Sequence, residues 1–318
     1  MVVLKGDHLA FYSQMYAFVV DAENGQLICS SESPDNLSSV NWSPDGTRIA
    51  SESGSREEPR VRLWNASSGD LLLIHDNARL GGWSPDGTRI ASFSGSAVQI
   101  WDAPTGKTLL VHPTRYYPVY WSPDLQKYIV SGDGRIQICD ATTGKVIHTY
   151  RNVQHYAFGA AWSPDGTRIA SFVTEREYIG KEEVHMWDAT TGRRLFILNG
   201  RWDSVWNVIW SPDGMLIALI PNSLSNSVEI WDAIAGKLIR SYFSHRKLVT
   251  AVGWSPDGMR IASGDFSGTV HVWTAKRGAQ PYIYRGHKQQ IVTLGWSPDG
   301  TRIASGDFDG SVQVWGAG

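Results

Sequence analysis

The chain alternates apolar and polar residues over short stretches, as in VQIW, VEIW and IVTLGW, and breaks each stretch with Gly, Pro, Asp or Ser. Alternation with a period of two, bounded by turn residues, predicts antiparallel strands rather than helices. A longer period lies over the short one. WSPDG occurs intact at Trp42, Trp83, Trp162, Trp210, Trp254 and Trp296, and as WSPDL at Trp121, with spacings of 41, 38, 41, 48, 44 and 42 residues. A second phrase follows each copy: VRLWNASSG, VQIWDAPTG, IQICDATTG, VHMWDATTG, VEIWDAIAG, VHVWTAKRG and VQVWGAG. An eighth copy of that phrase, AFVVDAENG, spans residues 17–25 and precedes the first WSPDG.

Each unit reads as four strands. The first ends at the WSPDG tryptophan, and Pro-Asp-Gly turns the chain because Pro presets one dihedral and Gly tolerates positive φ. TRIAS is the second strand, the VQVW type the third, and a turn such as ATTG leads to a fourth like KVIHTY. A small sheet with two apolar faces cannot hide both alone. Stacking copies radially around an axis buries them and leaves only short edges.

The WSPDGTRIASGD and VQVWD phrases resemble the WD-repeat β-propeller family over essentially the whole chain, and repeats this uniform are similar to those of bacterial signalling proteins. The resemblance implies one domain, residues 1–318, with units near 1–31, 32–75, 76–112, 113–150, 151–198, 199–242, 243–285 and 286–318. It also implies a buried hydrogen-bond tetrad of His, Ser, Asp and Trp, matched in the last unit by His287, Ser305, Asp309 and Trp315. A hydroxyl linking an imidazole to an indole satisfies buried polar groups, so this is a structural set and not a hydrolase triad. Other units depart from it. Ser267 stands at the turn position after His245, Cys139 replaces Trp after His112, and Arg201 stands in the His position, so those units are expected to rely more on apolar packing.

The expected fold is all-β, a propeller of four-stranded antiparallel blades built from eight repeat units. Eight blades are favoured because seven would leave HLAFYS and AFVV competing with C-terminal strands for one place. The alternative is seven blades, closed by Leu27–Ser31 beside Ser311–Trp315.

In such a blade the 1–2 and 3–4 turns share one face of the disk, and the 2–3 turns share the other with the links between blades. The first face repeats PDGTR and ATTGK, placing Asp45, Asp86, Asp165, Asp213, Asp257 and Asp299 near Arg48, Arg89, Arg168, Arg260 and Arg302. On the second face nearly everything differs between copies. Arg79, Arg115, Tyr117, Tyr156, Phe158, Trp202, Trp206, Arg246 and Lys247 fall there and are the candidate partner-binding residues. Trp202 and Trp206 are the two of fifteen tryptophans outside the repeat positions. Counting back four residues from each WSPDG tryptophan, Trp206 matches Ser38, Arg79, Tyr117, Phe158, Thr250 and Val292, a slot bordering the channel mouth. Aromatic and Arg side chains dominate binding hot spots, which makes this arc the expected recognition surface.

A non-catalytic scaffold binding a protein or peptide is therefore expected. A small-ligand or glycan binder, or the sensor part of a larger signalling system, is the alternative. A net charge of −2 over 318 residues argues against nucleic acid. No run of 18 apolar residues suggests a membrane span. Two cysteines, Cys29 and Cys139, sit inside repeats and imply a reducing cytoplasm and no disulfide framework. HExxH and CxxC are absent and histidines are scattered singly, so no metal or cofactor and no enzyme activity is expected. Glu175, Glu177, Glu182 and Glu183 read as a solvated charge run. The protein is expected to be a monomer, with self-association possible through incomplete edge sheets.

Overall fold

The computed structural model describes residues 2–5, 8–13, 16–21, 26–34, 37–55, 57–95, 97–113, 119–132, 135–151, 156–174, 182–202, 205–221, 226–276, 280–309 and 311–318. Among the described residues, strands pair only with their chain neighbours, in antiparallel register, and build sheets I to VIII in chain order. These cover 2–32, 37–76, 79–113, 119–151, 156–202, 205–242, 249–284 and 291–316. No helix among the described residues is long and apolar enough to cross a membrane.

The expectation of eight four-stranded blades is corrected here. Seven sheets have four strands, and the last has three: Ile291–Trp296, Arg302–Asp307 and Val312–Gly316. Nor does Leu27–Ser31 lie beside Ser311–Trp315. Leu27–Glu32 pairs with Tyr16–Asp21, which keeps the first sheet together. Val2–Lys5 instead packs against Ile291–Trp296 and Arg302–Asp307, so the first and last sheets meet through their inner strands.

The WSPDG phrase explains its own recurrence. In the first copy Ser43 Oγ donates to Asp45 Oδ1 at 2.5 Å and accepts from Arg48 N at 2.9 Å. Asp45 Oδ1 accepts from Thr47 N at 3.0 Å, while Gly46 takes a φ of +73°. A buried serine and an aspartate thus satisfy the turn that joins the first two strands. In WSPDL, Leu125 holds the glycine's position with a φ of +65°, a conformation that costs a residue with a Cβ.

The tryptophans of the phrase join neighbouring sheets. Trp162 Nε1 donates to Tyr120 O at 3.0 Å, Trp210 to Ala161 O at 3.2 Å, Trp254 to Ile209 O at 3.1 Å and Trp296 to Gly253 O at 3.2 Å. Each acceptor immediately precedes the tryptophan of the previous sheet. Between sheets, apolar side chains form the core clusters, such as Ile129, Ile138 and Tyr150 against Trp162 and Ile169. Cys29 and Cys139 are buried free thiols, and burial pushes Cys139 up to about 12.

Candidate functional site

The uniform face is occupied by its own bonds. Arg48 Nη2 donates to Gly87 O at 3.0 Å, and its guanidinium lies 5.2 Å from the Trp83 ring. Arg260 reaches Ala317 O and Gly300 O at 3.2 and 2.7 Å and stacks 4.9 Å from Trp296. Arg89 and Arg168 reach Ala141 O and Ala233 O at 3.1 and 3.2 Å. These arginines clamp one sheet to the next. The aspartates are tied down too: hydrogen bonds from Ser297 and Thr301 hold Asp299 down at about 2.

On the other face, the slot four residues before the WSPDG tryptophan is a β-bulge. The register shifts at Ser38, Phe158, Trp206, Thr250 and Val292, where one extra residue enters the innermost strand. A bulge leaves its residue outside the ladder: Ser38 is exposed and Val292 is 40% exposed. Sheet III differs, with its shift between the partners of Ala91 and Ser92. Arg79 there lies within Arg79–Trp83, its Nη1 3.9 Å from Glu52 Oε1.

The other candidates divide. Phe158 and Tyr156 lie on Tyr156–Trp162 and Trp206 on Val205–Trp210, with their side chains outside the described residues. Arg115 and Tyr117 fall wholly outside them. Arg246 and Lys247 are exposed in the link before Val249. Trp202 is not on the surface: it is 3% exposed, within a core cluster that includes Val184, Leu198 and Trp231. Its Nε1 donates to Glu229 Oε2 at 3.0 Å, and Trp231 Nε1 donates to the same oxygen at 2.8 Å. The expectation that Trp202 contacts a partner is therefore corrected.

The tetrad also needs correction. His287 Nε2 meets Ser305 Oγ at 2.7 Å and Trp315 Nε1 donates to that hydroxyl at 3.0 Å, but His287 Nδ1 pairs with Asp307 Oδ2 at 3.0 Å. Asp309 is exposed in the turn beyond. Because the acid sits at the strand end and not in the turn, Ser267 is no substitute for it. Sheet VII has a complete set, with His245 bonded to Ser263 and Asp265 at 2.7 and 3.0 Å, and Trp273 to Ser263 at 3.0 Å. The signal was legible as Ser-Gly-Asp, present at both Ser263 and Ser305.

Sheets II, III and V keep only the Ser–Trp half, as Ser51–Trp64, Ser92–Trp101 and Ser171–Trp187 at 2.7, 3.1 and 2.8 Å. In sheet VI, Leu219 takes the serine's place opposite Glu229, which supplies the missing acceptor. Glu182 and Glu183 are not simply solvated either. Glu182 accepts from Val205 N, and Glu183 Oε2 meets His185 Nε2 at 2.6 Å. Glu175 and Glu177 lie outside the described residues. Sequence reasoning missed the exposed Phe266 and Phe308, both in turns that follow a Ser-Gly-Asp.

The described residues contain no cluster of three His, Cys, Asp or Glu side chains able to hold a metal. Residues 236–274 and 278–316 match the family model of the WD domain, G-beta repeat. No curated protein matches the sequence. The fold is similar to the C-terminal WD40 domain of Sif2, with a TM-score of 0.79, 18% identity, and coverage of 98% of this chain and 92% of that one. It is similar also to the computationally designed Ika8 protein, with a TM-score of 0.81, 18% identity, and coverage of 99% and 95%. The molecule has the fold of a β-propeller, and its last two repeats match the WD-repeat family model.

Proposed function

We propose that this propeller is a non-catalytic scaffold that holds a protein or peptide partner on the variable face, near the channel mouth. The observation that carries the reading is the contrast between faces. The repeated Asp and Arg side chains of the uniform face direct their bonds within the fold, whereas the links and bulges of the other face present residues the ladder does not use. Arg79, Arg115, Tyr117, Tyr156, Phe158, Trp206, Arg246 and Lys247 are the contact residues in this reading, and Trp202 is removed from the set. An aromatic arc beside arginines offers large apolar area with polar ends, the composition of binding hot spots.

The test places a photo-crosslinking amino acid at Tyr117 or Arg246, and at Thr47 on the uniform face, before exposure to lysate of the source organism. Crosslinks formed at Tyr117 or Arg246, and lost on Trp206→Ala, support the reading. Crosslinks formed only from Thr47 overturn it.

A further inference from the structure

Two links on the variable face carry exposed cations. Arg246 and Lys247 lie before sheet VII, and Arg285 and Lys288 before sheet VIII; all four are exposed. None makes an ion pair among the described residues. The links and the 2–3 turns of these two sheets hold one exposed carboxylate, Asp309, because Asp265 and Asp307 are buried against His245 and His287. The sector is therefore positive on a chain whose net charge is −2.

Two exposed apolar side chains belong to the turns beside these links. Phe266 is 54% exposed and Phe308 74% exposed, each first in the turn after a tetrad aspartate. The turns need only their backbone: Phe266 N donates to Leu248 O at 2.8 Å and Phe308 N to Gln290 O at 2.9 Å, which seats each phenylalanine against its link. The two halves are continuous. A Cβ on Gly268 would stand 2.7 Å from the carbonyl oxygens of His287 and Gln289, so the turn of sheet VII abuts the link bearing Lys288. His245 and His287, fixed by the tetrads, anchor both links from below. The surface is pre-ordered, which lowers the cost of binding.

We propose that this sector docks an extended acidic protein segment bearing an apolar side chain, its carboxylates set toward Arg246, Lys247, Arg285 and Lys288 and its apolar residue between Phe266 and Phe308. This rests on the scaffold reading above and specifies its partner's chemistry. Charge complementarity selects an acidic occupant. A sector that holds four cations together with two exposed phenylalanines suits an acidic segment with an apolar residue better than a nucleic-acid backbone, which calls for a basic stripe.

The probe is a fluorescein-labelled peptide of alternating glutamate and glycine around one leucine, measured by anisotropy at low and at physiological salt. Matching peptides with lysine for glutamate, or serine for leucine, and an oligothymidylate serve as comparisons. The acidic leucine peptide is expected to bind best, and more weakly as salt rises. Arg246→Glu/Lys247→Glu and Arg285→Glu/Lys288→Glu are each expected to weaken it at least about tenfold. Phe266→Ala/Phe308→Ala should remove the preference for leucine over serine. All six positions are on the surface, and unchanged melting curves show that the variants fold. No binding by the wild type, indifference to both charge reversals, or tighter binding of oligothymidylate overturns the proposal. If the peptide fails while photo-crosslinks still form on the variable face, the scaffold reading stands and only the acidic partner is lost.

Discussion

Trp202 and Trp231 share one acceptor: both indole N–H groups point at Glu229 Oε2, at 3.0 and 2.8 Å, with the rings edge to face at 5.4 Å. Sheet VI lost the strand serine that serves Trp64, Trp101, Trp187, Trp273 and Trp315, and has Leu219 in its place. Glu229 supplies the missing acceptor, and the extra tryptophan donates to the same carboxylate oxygen. The local sequence change is thus compensation inside the core, not an addition to the binding face.

Trp202→Ala is expected to lower stability by about 3–5 kcal/mol, the usual cost of emptying a buried indole site. Glu229→Leu leaves two buried N–H groups unmatched and should cost about 1–3 kcal/mol for each. Denaturant unfolding checks both; a change below about 0.5 kcal/mol for Trp202→Ala would contradict its place in the core.

Asp307→Ala and Asp309→Ala should behave differently. Asp307 holds a buried imidazole, and its removal should destabilise by about 1–3 kcal/mol, whereas the exposed Asp309 should change little. Thermal melting of the two variants side by side separates them. Equal effects would return the tetrad to its expected turn position.

Sheet IV exchanges bulk across one pair. Six sheets oppose isoleucine and tryptophan, as in Ile169 with Trp187, whereas here Tyr128 opposes Cys139. The large side chain has moved to the neighbouring strand. Cys139→Trp alone should overfill the sheet and Tyr128→Ile alone should leave a cavity, while the double substitution restores the usual pairing. A double-mutant cycle should give a favourable coupling of about 1–3 kcal/mol; strict additivity would refute the exchange.

Sheet VII should weaken in mild acid. Burial lowers His271 from 6.5 to about 4, assisted by His245, whose ring stacks on it at 3.9 Å, and by Arg285; Asp265 opposes the shift, and Tyr242 Oη meets Nδ1 at 2.8 Å. An unfolded histidine takes its proton near 6.5 and the folded one only near 4, so stability is full above the first value and falls as pH drops toward the second. Hydrogen bonding from His245 lowers Asp265, despite its burial, and loss of that carboxylate acts in the same direction. The melting temperature should fall between about pH 6.5 and pH 4. His271→Gln, which copies Gln313 of sheet VIII, should flatten part of that slope.

Much was legible because each strand obeys a local rule. The WSPDG turn, the period-two strands and the tryptophan positions follow from backbone geometry and from the need to bury two faces of every sheet. Cys29 and Cys139, which the sequence places inside repeats, are buried as free thiols for the same reason. Closure was not legible, since pairing of Leu27–Glu32 with Tyr16–Asp21 or with the C-terminal strand satisfies the same local pattern. Only the packing of Val2–Lys5 against the last sheet decided it, leaving seven four-stranded sheets and one of three.

The binding candidates show the same division. An unmatched tryptophan reads as a surface feature when it lies in a variable link, and the sequence alone separated Trp202 and Trp206 from the thirteen repeat tryptophans. Whether such a side chain turns inward depends on partners far along the chain. Trp202 meets Glu229, and Asp307 rather than Asp309 reaches His287, because burial forces polar atoms to find the nearest complementary group in space. The sequence by itself determined the strands, the turns and the repeating seams. Tertiary structure decided which irregular residues fill the core and which, like Phe266 and Phe308, stay on the surface, since burial is a property of the assembled ring and no single repeat carries it.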